Sequence, residues 1–324
     1  MHVSQVVSPT LHVSRALGML PFTRLGHSPP SFSSSRAARA ATLVLHLVHV
    51  TSYVYHIVKT LAKLLETAKQ KSIEDSSSLA VLVIAQMFDI LNVVHLGFLS
   101  QCTCGIIQDT LYHMFVADQI LKVKNKRNFN LHRYILFTVM GLMCKNVSTW
   151  YIVDKMQVTT RLVPSFGVLL LLAAEQLFFV MCLELRRRLR ILNTQIYDCT
   201  FEISHRVVSK FADAFEALCR AQERLNRGFG LFLLLNLSQI LLFSLSQAVN
   251  VIFACVLSKH IYLGGKGTCS LETASSFITA KVLLLGRFLA LIWGCHIVTK
   301  EVSLTYFDHP YIFQNKHTYC PRMN

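Results

Sequence analysis

Histidine and cysteine are the residues best suited to hold a metal or pass electrons, and the chain carries 14 of one and 10 of the other. Their spacing argues against both uses. His46, His49, Tyr53 and His56 follow at steps of three, four and three, which places them on one face of a helix. Membrane oxidases built on histidine boxes need several such clusters near the cytosolic surface, and no HxxHH run occurs. A polar stripe turned toward partner helices is the better account. Cys102-Thr-Cys104 lacks the two-residue spacer of zinc knuckles and redox pairs, so these read as ordinary thiols. Only Cys269 falls clearly in a predicted outer loop, which argues against a disulfide framework. A phosphate-binding Gly-rich loop, a GxSxG elbow and an HExxH pair are all missing. The expectation is therefore no enzyme, no metal and no cofactor.

Ionisable residues inside apolar blocks are more informative, because burying a charge in hydrocarbon is costly unless it faces a partner, water or the bundle interior. Asp89, Lys145, Glu175, Lys281 and Arg287 are in that position. Asp89 or Glu175 can pair with Lys145 or Arg287, and such pairs serve either to fix helix register or to act in ligand binding or ion permeation. A second group, Lys145, Trp150, Tyr151, Gln247, Asn250, Ser276, Thr279 and Lys281, falls in the outer halves of the predicted helices. Aromatic and hydrogen-bonding groups at that depth suit a pocket for a small polar or amphipathic compound. Trp150 and Tyr151 suit interfacial anchors equally well.

The elements that must position these residues are six apolar stretches, each long enough to cross a bilayer as helix. They run over Ala40–Val58, Ser78–Ser100, Tyr134–Val153, Leu162–Leu183, Phe229–Ser258 and Thr273–Thr299. The fifth is long for one crossing, so helix is expected to continue outside the membrane. Hydrophobic residues make up 53% of the chain and charged ones 15%, yet the net charge is +15. A basic excess confined between apolar blocks fits a polytopic membrane protein and not a nucleic-acid binder, which gathers Lys and Arg on a recognition surface. Residues 1–39, 101–133, 186–227 and 300–324 hold 21 of the 32 Lys and Arg, against eight in 59–77, 154–161 and 259–272. That asymmetry places both termini in the cytoplasm. No cleavable signal peptide is expected, since Arg15, Arg24, Arg36 and Arg39 break up the start of the chain.

Residues 28–35, SPPSFSSS, read as a turn-rich linker between a cytoplasmic arm and the first span. Residues 186–227 contain neither Pro nor Gly, and Leu189, Leu192, Ile196, Val207, Phe211, Phe215 and Leu218 recur at helical spacing. An amphipathic helix is predicted there, lying on the inner leaflet or packing with neighbouring helices or subunits. Asn146-Val-Ser148 and Asn236-Leu-Ser238 match the glycosylation pattern but lie within predicted spans, so neither is expected to be modified.

Several short stretches resemble the insect gustatory receptor family, within the insect chemoreceptor superfamily. Leu17-Gly18-Met19-Leu20-Pro21-Phe22 is similar to the LGxxP segment that precedes the family's first span. Arg188-Leu189-Arg190-Ile191-Leu192-Asn193 resembles the RLxxLN stretch that leaves the fourth. Leu225-Asn226 with Phe229-Gly230 resembles the approach to the fifth, and Cys295-His296 with Glu301 the cytoplasmic end of the sixth. Their order covers roughly residues 11–301. The resemblance implies an all-helical, seven-span subunit of a tetrameric ligand-gated cation channel, with the tastant bound in the outer half of the bundle. It also implies that cytoplasmic extensions of the fourth to sixth helices meet in an anchor domain. The plasma membrane of chemosensory neurons is the implied location.

The resemblance further implies a seventh, pore-lining helix with the signature Thr-Tyr, five residues, Gln-Phe. Neither Thr305-Tyr306 nor Thr318-Tyr319 is followed by Gln-Phe at that spacing, and charged, polar and Pro residues fill the stretch from Val302 to Asn324. The expectation is a receptor chain truncated before the pore helix, as a retained intron, alternative splicing or an incomplete gene model would produce. Residues 1–39 then form a cytoplasmic arm, 40–185 spans one to four, 186–228 an anchor-like extension, 229–299 spans five and six, and 300–324 an atypical tail. Alternatives are a non-conducting variant of such a receptor, or an unrelated six-span transporter or scaffold. A transporter would more often carry inverted repeats, and none is evident.

Overall fold

Long apolar stretches with few helix breakers fold as long helices, and those here outrun a membrane. In a computed structural model, residues 3–17, 19–27, 29–33, 35–70, 91, 94–95, 104–123, 158–199, 205–252 and 271–308 are described. The helices are α1 Val3–Ala16, α2 Arg36–Gln70, α3 over 104–121, α4 Val158–Asp198, α5 His205–Ile252 and α6 Leu271–Asp308. At 1.5 Å per residue, α4, α5 and α6 are about 60, 70 and 55 Å long, roughly twice the hydrocarbon thickness. The fifth predicted span thus belongs to a helix that begins 24 residues before it. Predicted spans two and three, Ser78–Ser100 and Tyr134–Val153, lie outside the described residues except at 91, 94 and 95. By length and composition, Phe288–Phe307 is long and apolar enough to cross a membrane among the described residues, and it overlaps the end of the sixth predicted span.

Two compact units divide the chain. The first comprises Met1–Leu47, Leu96–Leu231 and Trp293–Asn324, and the second Val48–His95 and Phe232–Ile292. All four basic links assigned to the cytoplasmic side fall within the first unit.

At the centre of the first unit is α4, where almost every side chain from Leu171 to Leu192 is buried or half-buried. Against it pack α1, α5 through Phe178 and Phe229 (ring centroids 5.6 Å apart), and α6 through Phe179 and Trp293 (5.8 Å). The predicted amphipathic periodicity is present: Leu189, Leu192, Ile196, Phe215 and Leu218 are all buried. That segment is divided, however, with 186–198 completing α4 and 205–227 opening α5.

Helix ends follow their local chemistry. Ser35 caps α2, its Oγ accepting from the Ala38 amide at 3.0 Å. The α3 terminus places Lys122 at φ 49°, in the left-handed region, and the Val123 amide donates back to the Asp118 carbonyl at 3.1 Å. Gln195 of α4 then donates to the Leu121 carbonyl at 3.0 Å, satisfying an acceptor the helix end leaves free.

Residues 28–35 are not simply a linker. Arg24–His27 (β1) and Pro30–Ser33 (β2) form an antiparallel hairpin with Leu25 opposite Phe32 and a two-residue link. Packing drives this: Phe32 stacks on Phe22 at 5.0 Å, and its amide donates to the Gln108 side-chain oxygen on α3 at 3.3 Å. Composition rich in Ser and Pro concealed the one aromatic that makes the strand pair worth forming.

The start of α2 has the reverse of a soluble helix's pattern. Leu43, Val44, Leu45, Leu47 and Val48 are exposed, whereas Thr42 and His46 are buried. Apolar groups outward and polar groups inward is the arrangement a lipid solvent selects. His46 is thus turned inward, as expected for a polar stripe facing partner helices; the side chains of His49, Tyr53 and His56 lie outside the described residues. Asn236 is fully buried on α5.

Helices α3 and α5 are in close contact at Gly228, where an added Cβ would lie 2.6 Å from Ile106 Cγ2. Gly228→Ala is therefore expected to lower stability by roughly 1–3 kcal/mol, and Ile106→Ala in the same chain to recover most of it. Thermal melts of the detergent-solubilised single and double variants, followed by size-exclusion chromatography, measure the difference.

Candidate functional site

Two charge clusters lie on the end of α4 at the same level, their arginines two residues apart and so on opposite faces of the helix. In the first, the Arg188 side chain is 1% exposed and makes four hydrogen bonds. Its Nε and Nη2 donate to the two Asp118 oxygens at 2.9 and 3.0 Å, a bidentate fork from α4 to α3. Nη1 donates to the Glu184 carbonyl and to its Oε2, both at 2.8 Å. Burial works against the Arg188 charge, but the two carboxylates outweigh it and hold the guanidinium above its ordinary value. Burial pushes the Asp118 carboxyl up from its ordinary value, Arg188 opposes the shift, and Glu184 adds to it. Burial is the largest cause of the Asp118 shift, whereas at Arg188 the two carboxylates outweigh burial, so both values move upward.

In the second cluster, Glu301 of α6 is buried and accepts from two arginines of α4 through the same oxygen. Arg186 Nε donates to Oε1 at 3.2 Å and Arg190 Nε at 2.6 Å. Arg186 also lies over the Trp293 ring, 5.8 Å from its centroid. Below this, α4 and α6 are in close contact: a Cβ on Gly294 would meet the Phe179 ring at 3.2 Å. Thr305, fully buried, donates to the Glu301 carbonyl at 2.7 Å.

On the other side of α3, Asp109 and His113 face Arg220 and Arg224 of α5, with Arg224 Nε 3.8 Å from Asp109. Burial lowers the His113 value, the two arginines lower it further, and Asp109 opposes them. The imidazole is therefore neutral near pH 7. Burial pushes the Cys104 thiol up to about 11 against the opposing charge of Arg39. Among the described residues no group of three or more His, Cys, Asp or Glu could hold a metal ion. The arrangement binds helices to one another; it does not place a nucleophile beside a base.

Of the residues singled out in the sequence, Glu175 is buried on α4. Gln247 and Asn250 lie on α5, and Ser276, Thr279, Lys281 and Arg287 on α6, with their side chains outside the described residues. Lys145, Trp150, Tyr151 and Asp89 lie outside the described residues altogether. Reasoning from apolar blocks passed over the clustered charges because they lie just beyond the spans. One local signal pointed to them: Glu184 precedes Arg188 by four residues, the favourable order for a helical ion pair. Arg188 and Glu301 had been noticed only as motif residues, and both motifs are now seen to end on α4 as charge clusters.

A family model described as 7tm Chemosensory receptor matches residues 7–301. The comparison with curated proteins finds no match.

Two measurements check the site. Arg188→Met leaves Asp118 and Glu184 buried without their cation and is expected to cost about 3–5 kcal/mol. Asp118→Asn, which keeps the shape and the charge pair with Glu184, is expected to cost less. Thermal melts rank the two, and equal losses would show that the guanidinium is not the critical group. Cys104 is expected to be alkylated slowly at pH 7, with its rate rising about tenfold per unit up to a plateau near pH 11, since the thiolate is the reacting form. Peptide mapping of maleimide-treated protein across pH follows this thiol apart from the others.

Proposed function

We propose that this chain, which belongs to the 7tm chemosensory receptor family, is a gustatory-type chemoreceptor subunit that takes part in a tastant-gated, non-selective cation channel. Membership alone makes it a membrane receptor of a family that is not an enzyme family. The observation that carries the finer reading is where the gustatory-like motifs lie. Leu20, Pro21 and Phe22 of the first are buried, Arg188, Leu189 and Leu192 of the second are buried, Leu225 and Phe229 of the third are buried, and Glu301 of the fourth is buried against Arg186 and Arg190. Each of the four stretches thus contributes buried residues to the first unit.

In this reading the basic first unit faces the cytoplasm of a sensory neuron's plasma membrane, and tastant binds on the outer side. Gln247, Asn250, Ser276, Thr279 and Lys281 supply hydrogen-bonding groups from two helices, with Lys145, Trp150 and Tyr151 from a third. No covalent chemistry is needed, because a ligand that binds the open arrangement more tightly than the closed one shifts the population between them. Four subunits, alike or related, surround the pore, and the helical segments of 186–228 supply contacts between them. A non-conducting variant of the same receptor shares all of this except the pore.

Since residues 1–324 do not contain Thr-Tyr, five residues, Gln-Phe, the chain alone is expected to give no ligand-evoked current. Coexpressed with a related subunit that carries that helix, it is expected to change the set of sugars and bitter compounds that evoke current. Whole-cell recording over a tastant panel decides between outcomes. Robust current from the chain alone would overturn the assignment of the pore to the missing signature. An unchanged ligand profile in every pairing, together with no tastant-induced thermal stabilisation of the purified chain, would sink the receptor reading.

A further inference from the structure

The two charge clusters on α4 are not balanced alike. Arg188 meets two carboxylates, whereas Arg186 and Arg190 share one oxygen of one carboxylate, Glu301. Lys300, the residue before Glu301, is exposed. Two of these cations meet one anion where α4 and α6 leave their predicted spans, and Lys300 adds an exposed third cation next to that anion in the sequence. The Arg190 side chain is 59% exposed, and only its Nε is taken by Glu301, so its two terminal nitrogens are the ones turned to other partners. Arg186 is 23% exposed and rests on Trp293, itself 47% exposed.

On α6, exposed Leu289 and Ile292 precede the amphipathic ring of Trp293 and the exposed cation Lys300, and Leu304, Tyr306 and Phe307 beyond it are exposed as well. Apolar chain, indole and guanidinium in that sequence match the passage from acyl chain through the interface to the phosphate layer. Cations that exceed their local anions there suit a fixed negative charge, and a planar guanidinium suits a phosphate oxygen pair.

We propose that Arg186, Arg190, Lys300 and Trp293 form a binding site for the headgroup of an anionic phospholipid of the inner leaflet. The leaflet assignment rests on the cytoplasmic sidedness proposed above; the headgroup preference does not. Glu301 tunes the site by neutralising part of its charge, so lipid binding and the α4–α6 ion pairs draw on the same arginines.

The chain has two tryptophans, so Trp150→Phe leaves Trp293 as the one fluorescent indole. In proteoliposomes of this variant, brominated phosphatidylserine is expected to quench Trp293 at about a thirtyfold lower mole fraction than brominated phosphatidylcholine, the factor two surplus charges supply at a membrane surface. Arg186→Gln with Arg190→Gln should remove the preference while quenching by phosphatidylcholine is unchanged, which shows that the fold survives. Lys300→Gln, which leaves the Glu301 pairs in place, should weaken the preference, and Glu301→Gln should strengthen it. Equal quenching by both lipids in the parent, or a preference that none of these variants alters, would overturn the site. A glycosylation acceptor appended after Asn324 reads sidedness separately. If it is modified in cells, the inner leaflet and the proposed orientation fail together, whereas unequal quenching would still uphold the anionic headgroup.

Discussion

A fully buried guanidinium is the constraint on which the first unit depends. Arg188 keeps its charge at any biological pH, and leaving that charge unpaired in an apolar interior would cost several kcal/mol, a large part of the stability a domain has in reserve. The fold must therefore bring carboxylates to it with good geometry. Glu184 comes from the preceding turn of the same helix, and Asp118 must be delivered by α3. Once Asp118 is fixed, the α3 terminus follows, because its backbone carbonyl anchors the reversal at Lys122 and its last turn is capped by Gln195. Register between α3 and α4 is thus set by a polar contact. The hydrophobic contacts around it supply area but tolerate sliding.

The same logic accounts for the different treatment of polar groups along α2. Thr42 and His46 turn inward while the leucines and valines beside them turn out. In water this helix would be unstable against collapse or aggregation; in lipid the exposed leucines cost nothing and the buried polar groups gain partners. Stability in such a protein cannot rest chiefly on the hydrophobic effect between helices, which makes ion pairs, close glycine contacts and aromatic stacking carry a larger share. Gly228 on Ile106, Gly294 on Phe179 and Phe22 on Phe32 are the packing counterparts of the two charge clusters.

What could be read from the sequence was what depends on local spacing. The apolar periodicity of 186–227 is present in the buried positions from Leu189 to Leu218, since a 3.6-residue repeat needs no knowledge of the partner. Motif resemblance pointed to the right family over nearly the same residues as the matching model. The break after Asp198 was missed because nothing in its composition marks it; no Pro or Gly lies between 186 and 227. The hairpin was missed because its stability comes from Phe22 and Gln108, both outside the eight residues that looked like a linker. The Asp118–Arg188 pair spans 70 residues of sequence, a separation at which one sequence carries no pairing signal. Glu175, placed by the sequence within an apolar block, is buried on α4.

The division of labour on α6 follows from its continuity. Ser276, Thr279 and Lys281 lie on the part of this helix in the second unit, and Glu301 on the part in the first. Glu301 holds two arginines of α4 through one oxygen, Arg186 at 3.2 Å and Arg190 at 2.6 Å, so both depend on the same acceptor. Arg188, by contrast, makes four hydrogen bonds to Asp118 and Glu184. One cluster therefore joins α4 to α3 through a chelated guanidinium, and the other joins α4 to α6 through a single shared carboxylate oxygen.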